Sequence, residues 1–324
     1  MTTSAPDRRV VGLDVGGTMI KAVLVGADGQ PLLTDQRPTH ADLGAGQVVD
    51  GIVSYAREFS QICAERSGRA IDALGLAVPG TVNDEAGVAA YSANIGWRDL
   101  PLRDIVANSV GVAVALTHDV RAGALAEARL GAARGYRRSL FVPLGTGVAA
   151  ALVIDGVPYH GGHWSGGELG HVVVRPQGRA CRCGSQGCLE TVSSAAAIAR
   201  SYVAVGGSAI SAEEIAALAA AGDTAAAGVW GDAVDALATG LLMCLALIDP
   251  DVIVVGGGLA AAGETLLAPL RRALAAQASY HVVPPIVPAA LGALAGAVGA
   301  ALVARDALQT NPEKGQEKEK PCHC

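Results

Sequence analysis

Val10-Val11-Gly12-Leu13-Asp14-Val15-Gly16-Gly17-Thr18 is the stretch on which the fold is read. Residues 9–15 form a short, mostly apolar run with the composition of a buried strand, and Gly16-Gly17-Thr18 turns the chain into a second one, Ile20-Lys21-Ala22-Val23-Leu24-Val25. Asp28-Gly29 turns it again. The succession recurs as Leu140-Phe141-Val142-Pro143-Leu144, Gly145-Thr146-Gly147, an apolar run over 149–154, and Asp155-Gly156. Thr18 and Thr146 are 128 positions apart and the two Asp-Gly turns 127. A near-constant offset points to a duplicated unit, and so to an α/β protein of two lobes with a cleft between them.

In that arrangement each Gly-Thr turn offers backbone N–H groups and a threonine hydroxyl to phosphate oxygens, from Gly16, Gly17 and Thr18 in one copy and Gly145, Thr146 and Gly147 in the other. Neither turn is a P-loop, which requires Lys-Ser/Thr after its last glycine, and neither is a dinucleotide fingerprint. Alone, each reads more readily as an ordinary structural turn than as a functional one. Asp14 shifts the balance, because a carboxylate beside a phosphate cradle can hold Mg²⁺ directly or through water. A third cluster, Gly256-Gly257-Gly258, follows the apolar run 252–255 and precedes a helix that begins near Gly263-Glu264-Thr265. Bare backbone and a helix terminus there suit a nucleotide, although an ordinary strand-to-helix loop has the same appearance.

His171, Cys181, Cys183 and Cys188 supply four N/S ligands within eighteen positions, the donor set of a closed, structural zinc centre. A Cys181–Cys183 disulfide would be strained, and the surrounding Arg182, Gly184, Ser185, Gln186 and Gly187 are loop formers rather than core formers. Such a centre would hold Glu168 and Glu190 beside it. Cys63 and Cys244 sit in apolar helical patterns and read as buried thiols, whereas Cys322, His323 and Cys324 end a charged tail over 311–324 that reads as disordered.

Seven cysteines in 324 residues, with no apolar leader at the amino terminus, fit a cytoplasmic protein better than a secreted disulfide framework. The net charge of −6 and the lack of a basic cluster interleaved with aromatics give no footprint for nucleic acid. Residues 286–304 carry no charge and are long enough to span a bilayer, but they are Ala- and Gly-rich and start near Pro288. We read them as a buried helix at a domain boundary, with no membrane partner.

Taken together, Asp14-Val15-Gly16-Gly17-Thr18 with Lys21, Leu144-Gly145-Thr146-Gly147, Val255-Gly256-Gly257-Gly258 and the run from Gly161 to Glu190 resemble the ROK family of sugar kinases, within the actin-like ATPase superfamily. The resemblance covers nearly the whole chain. It implies a two-lobed, ribonuclease H-like α/β fold with a zinc-binding loop, and a glucokinase-like transfer of phosphoryl from ATP, with Mg²⁺, to the primary hydroxyl of glucose or a related hexose. It further implies that Asp119 is the general base, that Lys21 joins the phosphate motif and Gly256 to Gly258 the adenosine motif, and that Gly80, Asn94, His118, Glu168, His171 and Glu190 meet the sugar. His171 would use one ring nitrogen for zinc and the other for the sugar. The smaller lobe is expected over 1–117, completed by about 299–310, the larger over 118–298, and the assembly as a homodimer or homotetramer.

The chain departs from the family's pattern where it has His118 and Arg121 in place of asparagines. An imidazole differs from an amide in size and donor count, which opens N-acetylglucosamine, N-acetylmannosamine, 3-amino-3-deoxyglucose or a C7-cyclitol as alternative substrates. Val148-Ala149-Ala150-Ala151 stands where another glycine is common, which opens polyphosphate as a further donor. The family also contains repressors with a helix-turn-helix before the kinase-like part; Asp14 leaves no room for one, so a sugar-sensing regulator is the lesser expectation.

Overall fold

The computed structural model describes residues 8–310. The expectation for the tail over 311–324 lies outside the described residues. Two compact units separate, one running to Ala122 and resuming at Gly296, the other covering Gly123–Ala295.

In the first unit, β1 (Val10–Val15), β2 (Met19–Val25) and β3 (Pro31–Pro38) form an antiparallel meander. Helix α1 (Ala45–Ser67) leads to β4 (Ala73–Val78), which lies parallel to β1. A small sheet of β5 (Thr81–Asn83), β6 (Val88–Tyr91) and β7 (Arg98–Leu100) intervenes, followed by α2 (Leu102–Val110) and β8 (Ala113–His118), which is parallel to β4. The main sheet therefore runs β3-β2-β1-β4-β8. Val48, Ile52, Tyr55, Ala56, Phe59 and Cys63 recur at helical spacing along α1 and bury one stripe against this sheet's core. Helix α3 (Asp119–Leu130) follows β8 directly and contains the boundary between the units.

The second unit repeats the plan. Strands β9 (Arg138–Pro143), β10 (Ala151–Ile154) and β11 (Val157–Pro158) form the meander. After α4 (Glu190–Ser193), α5 (Ala195–Ala204), α6 (Ala212–Ala220) and α7 (Thr224–Ile248) come β12 (Val252–Gly256), α8 (Glu264–Gln277) and β13 (Ile286–Pro288). The sheet order β11-β10-β9-β12-β13 matches that of the first unit strand for strand, antiparallel then parallel, as the offset of 128 residues predicts. Trp230, Leu237, Leu241 and Leu245 bury one side of α7 in this unit's core. Helix α7 is the one described helix long and apolar enough to cross a membrane, and half of its most apolar window is buried.

Residues 286–304 correct the sequence reading. They do not form one helix: β13 ends at Pro288, a 3₁₀ turn covers Gly292–Leu294, and α9 spans Ala295–Thr310. Ile286, Val287 and Pro288 pair with Ile253, Val254 and Val255 of β12, which takes the start of the stretch into the sheet. The small residues have a packing role instead, since a Cβ on Gly12 or Gly75 would stand 1.9 and 1.8 Å from the carbonyl oxygens of Ala297 and Ala300. Helix α9 thus lies backbone to backbone on β1 and β4, at a distance only glycine permits.

Candidate active site

In the first unit, Asp14 lies next to the end of β1 and Asp119 directly follows β8, two strands of one sheet. Asp14 stands near the end of β1, opposite Lys21 on β2, and against the first turn of α9, where a Cβ on Gly296 would meet its Oδ2 at 2.5 Å. Burial, and secondarily the charge of Asp119, raise its carboxyl to about 7, with Lys21 pulling the other way. The turn beyond it is braced from behind. Thr39 Oγ1 donates to the Gly16 carbonyl at 2.7 Å and Thr39 N–H to that of Thr18 at 2.8 Å. Gly17 and Thr18 remain exposed, and nothing lies within 4 Å of where a Gly17 Cβ would be.

Asp119 opens α3 directly after β8. Its Oδ1 accepts the Val120 N–H at 2.7 Å and lies 3.2 Å from His118 Nε2. Burial raises its carboxyl to about 6, against the Val120 N–H and the charge of Arg121. Oδ1 is thus held between the Val120 N–H and the His118 ring. Arg121 is only 2% exposed; its Nη2 donates to Asp84 Oδ1 and to the Val82 carbonyl. Thr117 Oγ1 donates to the other oxygen of Asp84, at 3.1 Å. Gly80 enters β5 at φ +100°, and a Cβ there would fall 2.0 Å from the Tyr91 carbonyl. Asn94 is exposed on a turn closed by Gly96 N–H to Ser92 O and anchored by buried Ile95 and Trp97.

The second unit carries the other expected residues. Leu144 N–H donates to Gly256 O at 2.9 Å, and Leu259 N–H to Leu144 O at 3.0 Å. Gly257, at φ +78°, would place a Cβ 2.3 Å from the Leu144 carbonyl. The Gly256-Gly257-Gly258 turn is therefore docked on the start of the Gly145-Thr146-Gly147 turn. On the other side of that turn, Glu190 Oε2 accepts the Val148 N–H at 3.1 Å. Gly145 and Thr146 keep their outward side open.

His171, Cys181, Cys183 and Cys188 put their ligand atoms within 4.8 Å of one another. His171 Nδ1 is 3.6 Å from Cys181 Sγ, and Cys183 Sγ is 3.6 Å from Cys188 Sγ. In a tetrahedron with sulfur–metal bonds of ~2.3 Å, neighbouring ligand atoms stand ~3.8 Å apart, so the donor set fits such an ion. All five cysteines among the described residues are free, and Cys63 and Cys244 are buried. A hydrogen bond from the Ser185 backbone lowers the Cys183 thiol to about 7, and burial raises Cys188 to about 12. His171 presents Nε2 to Glu168 Oε2 at 3.9 Å, so the two ring nitrogens face different partners.

The ROK family profile matches residues 10–307. The chain belongs to the ROK family. This ROK protein is 32% identical over 320 residues to a glucokinase of Thermotoga maritima, covering 94% of this chain and 99% of that one. It is 31% identical over 297 residues to a kanosamine kinase of Amycolatopsis mediterranei, covering 91% and 95%. Among solved structures, a ROK glucokinase of Streptomyces griseus in complex with glucose and AMPPNP superposes with a TM-score of 0.79 at 30% identity, covering 92% of this chain and 99% of that one. Two ROK residues in contact with the site had no signal in the sequence reading. Asp84 sits in Val82-Asn83-Asp84-Glu85-Ala86-Gly87, which reads only as a turn, and Thr39 only as a residue after a proline.

Proposed function

We propose that this ROK chain is an ATP-dependent hexokinase of glucokinase type, transferring the γ-phosphoryl group to the primary 6-hydroxyl of glucose or a close relative. The observation that carries the reading is Asp119, a carboxylate that opens α3 directly after β8, with Oδ1 held by the Val120 N–H beside His118 and an affinity for protons raised to about 6. A base so placed is ionised at neutral pH yet can accept a hydroxyl proton. As Asp119 takes that proton, the hydroxyl oxygen attacks the γ-phosphorus, the bond to the β–γ bridging oxygen breaks, and ADP leaves. The Gly16 and Gly145 N–H groups close their own turns, onto the Met19 and Gly147 carbonyls, which leaves the N–H groups of Gly17, Thr18, Thr146 and Gly147 to stabilise the charge on the transferred group, with Lys21 near the first turn and Gly256 to Gly258 under the adenosine. Asp14, buried with Lys21 as its compensating cation, is the carboxylate suited to a hydrated Mg²⁺ that accompanies ATP and neutralises phosphate charge.

Gly80, Asn94, His118, Glu168, His171 and Glu190 are the sugar-binding set in this reading. Zinc held by the Cys₃His cluster would be structural, since the four protein ligands would fill a tetrahedral shell, and it would fix His171 with Nε2 turned towards Glu168 and the sugar. His118 favours a second reading, in which 3-amino-3-deoxyglucose or another amino sugar is preferred; the similarity to a kanosamine kinase supports it. The deciding experiment is ATP-dependent phosphorylation across glucose, mannose, glucosamine, N-acetylglucosamine, N-acetylmannosamine, 3-amino-3-deoxyglucose and a C7-cyclitol. Glucose at the head of the panel supports the first reading, an amino sugar or the cyclitol the second, and no turnover on any refutes both.

A further inference from the structure

Asp84 belongs to no motif, yet it receives both residues that flank the turn carrying Asp119. Thr117, two positions before Asp119, donates its hydroxyl to Asp84 Oδ2 at 3.1 Å. Arg121, two positions after, donates Nη2 to Asp84 Oδ1. The same Nη2 reaches the Val82 carbonyl at 3.0 Å, so the guanidinium is tied to β5 as well as to the loop that follows it. Arg121 is 2% exposed and the Asp84 side chain 30% exposed, so this ion pair is well shielded from water. A paired buried arginine is costly to strand, and therefore fixes whatever carries it.

We propose that Asp84 is a positioning residue for the phosphoryl-transfer step, clamping the end of β8 to the start of α3 so that the Asp119 carboxylate stays aimed at the acceptor hydroxyl. The clamp sets more than a position. By holding Arg121 at the turn, it keeps a positive charge near Asp119, which opposes the effect of burial on that carboxyl. It also joins the base to the segment that begins with Gly80, because β5 starts at Thr81. The base and one wall of the proposed sugar site thus move as a single piece.

This inference rests on Asp119 being the base, and Asp119→Asn is the control for that premise. With the best sugar of the panel, Asp84→Ala is expected to lower kcat about 10- to 100-fold, the effect of misplacing a reacting group by about an ångström, while sugar KM changes less than about threefold. Asp84→Asn preserves partners for both Thr117 and Arg121 and is expected to recover kcat to within about threefold of the wild type. Thr117→Val releases one arm and is expected to lower kcat by severalfold; combined with Asp84→Ala it adds nothing further, since both act through one clamp. Activities are normalised to folded protein by circular dichroism. If Asp84→Ala does not fold, Thr117→Val decides alone. Wild-type kcat in the folded Asp84→Ala or Thr117→Val protein, or independent multiplication of the two losses, overturns the proposal. Turnover surviving in Asp119→Asn overturns the assignment of the base instead, leaving the two failures distinct.

Discussion

Replacing Asp119 by asparagine removes a charge and keeps the shape, and the structure gives it opposite effects on stability and turnover. Burial raises the Asp119 carboxyl from 3.8 to about 6. A group whose folded value lies above its unfolded one contributes stability below the unfolded pKa and loses it as pH rises through the folded one. Above about pH 6 the ionised form therefore costs the native state up to ~3 kcal/mol, since each tenfold change in proton affinity between the folded and unfolded chain is worth ~1.36 kcal/mol. The side chain is 29% exposed, so solvent screening makes that figure a ceiling. Asp119→Asn also relieves Asp14, whose carboxyl is raised partly by Asp119. In the absence of nucleotide and Mg²⁺, the variant should melt higher than the wild type at pH 8, by at most ~10 °C, and the gap should close towards pH 4. Turnover should fall by a factor of ~10²–10⁴ while calorimetric sugar affinity stays within a few fold. A variant that melts lower than the wild type at pH 8, or that keeps more than a tenth of its turnover, refutes the reasoning.

With Asp119 as the proposed base, kcat/KM for the sugar at saturating MgATP should hold level above about pH 6 and fall tenfold per pH unit below it, a limb that a pH–rate profile of the wild type will locate. Gly17→Ala and Gly145→Ala add a methyl where nothing lies within 4 Å, so thermal stability should barely move; a rise of about tenfold or more in ATP KM would then come from the methyl meeting phosphate. Stripping metal from the Cys₃His cluster, verified by metal analysis, should weaken sugar binding about tenfold. Because Glu190 follows Cys188 by two residues and holds the Val148 N–H, AMPPNP affinity measured by calorimetry should fall too. Unchanged affinity for both ligands would show that the loop stands without its metal.

Much of the fold was legible because its signals are local. Short apolar runs broken by Gly-Thr and Asp-Gly turns fixed the two meanders, and their offset fixed the repetition that the sheet orders display. The cluster of His171 with Cys181, Cys183 and Cys188 was equally legible, since its ligands are close in sequence as well as in space. Residues 286–304 were not. An uncharged Ala/Gly stretch has the same composition whether it forms one helix or a strand, a turn and a helix, and the carbonyl contacts that select small residues at Gly12 and Gly75 are made with backbone nearly 300 and 225 positions away. Asp84 escaped for the same reason: a carboxylate in a turn declares nothing until Thr117 and Arg121, more than 30 positions on, are seen to donate to it.

With Asp14 and Asp119 in their proposed roles, the charges at the first unit's site give a physical reason for nucleotide and divalent cation to bind together. Asp119 already raises the cost of ionising Asp14, with Lys21 opposing that rise at Asp14 and Arg121 opposing the effect of burial at Asp119. Arg121 is committed to Asp84, and Lys21 faces Asp14 across the strand pair. Triphosphate placed on the Gly16-Gly17-Thr18 turn would add negative charge beside two carboxylates whose protons are already held to about pH 7 and 6. Backbone dipoles alone would have to offset that repulsion in a partly desolvated place, where unlike charges attract and like charges repel several times more strongly than in water. A divalent cation held at Asp14, as proposed, would reverse that balance, making Asp14 a point of attachment rather than a source of repulsion and leaving Asp119, the proposed base, ionised for the one proton it would accept.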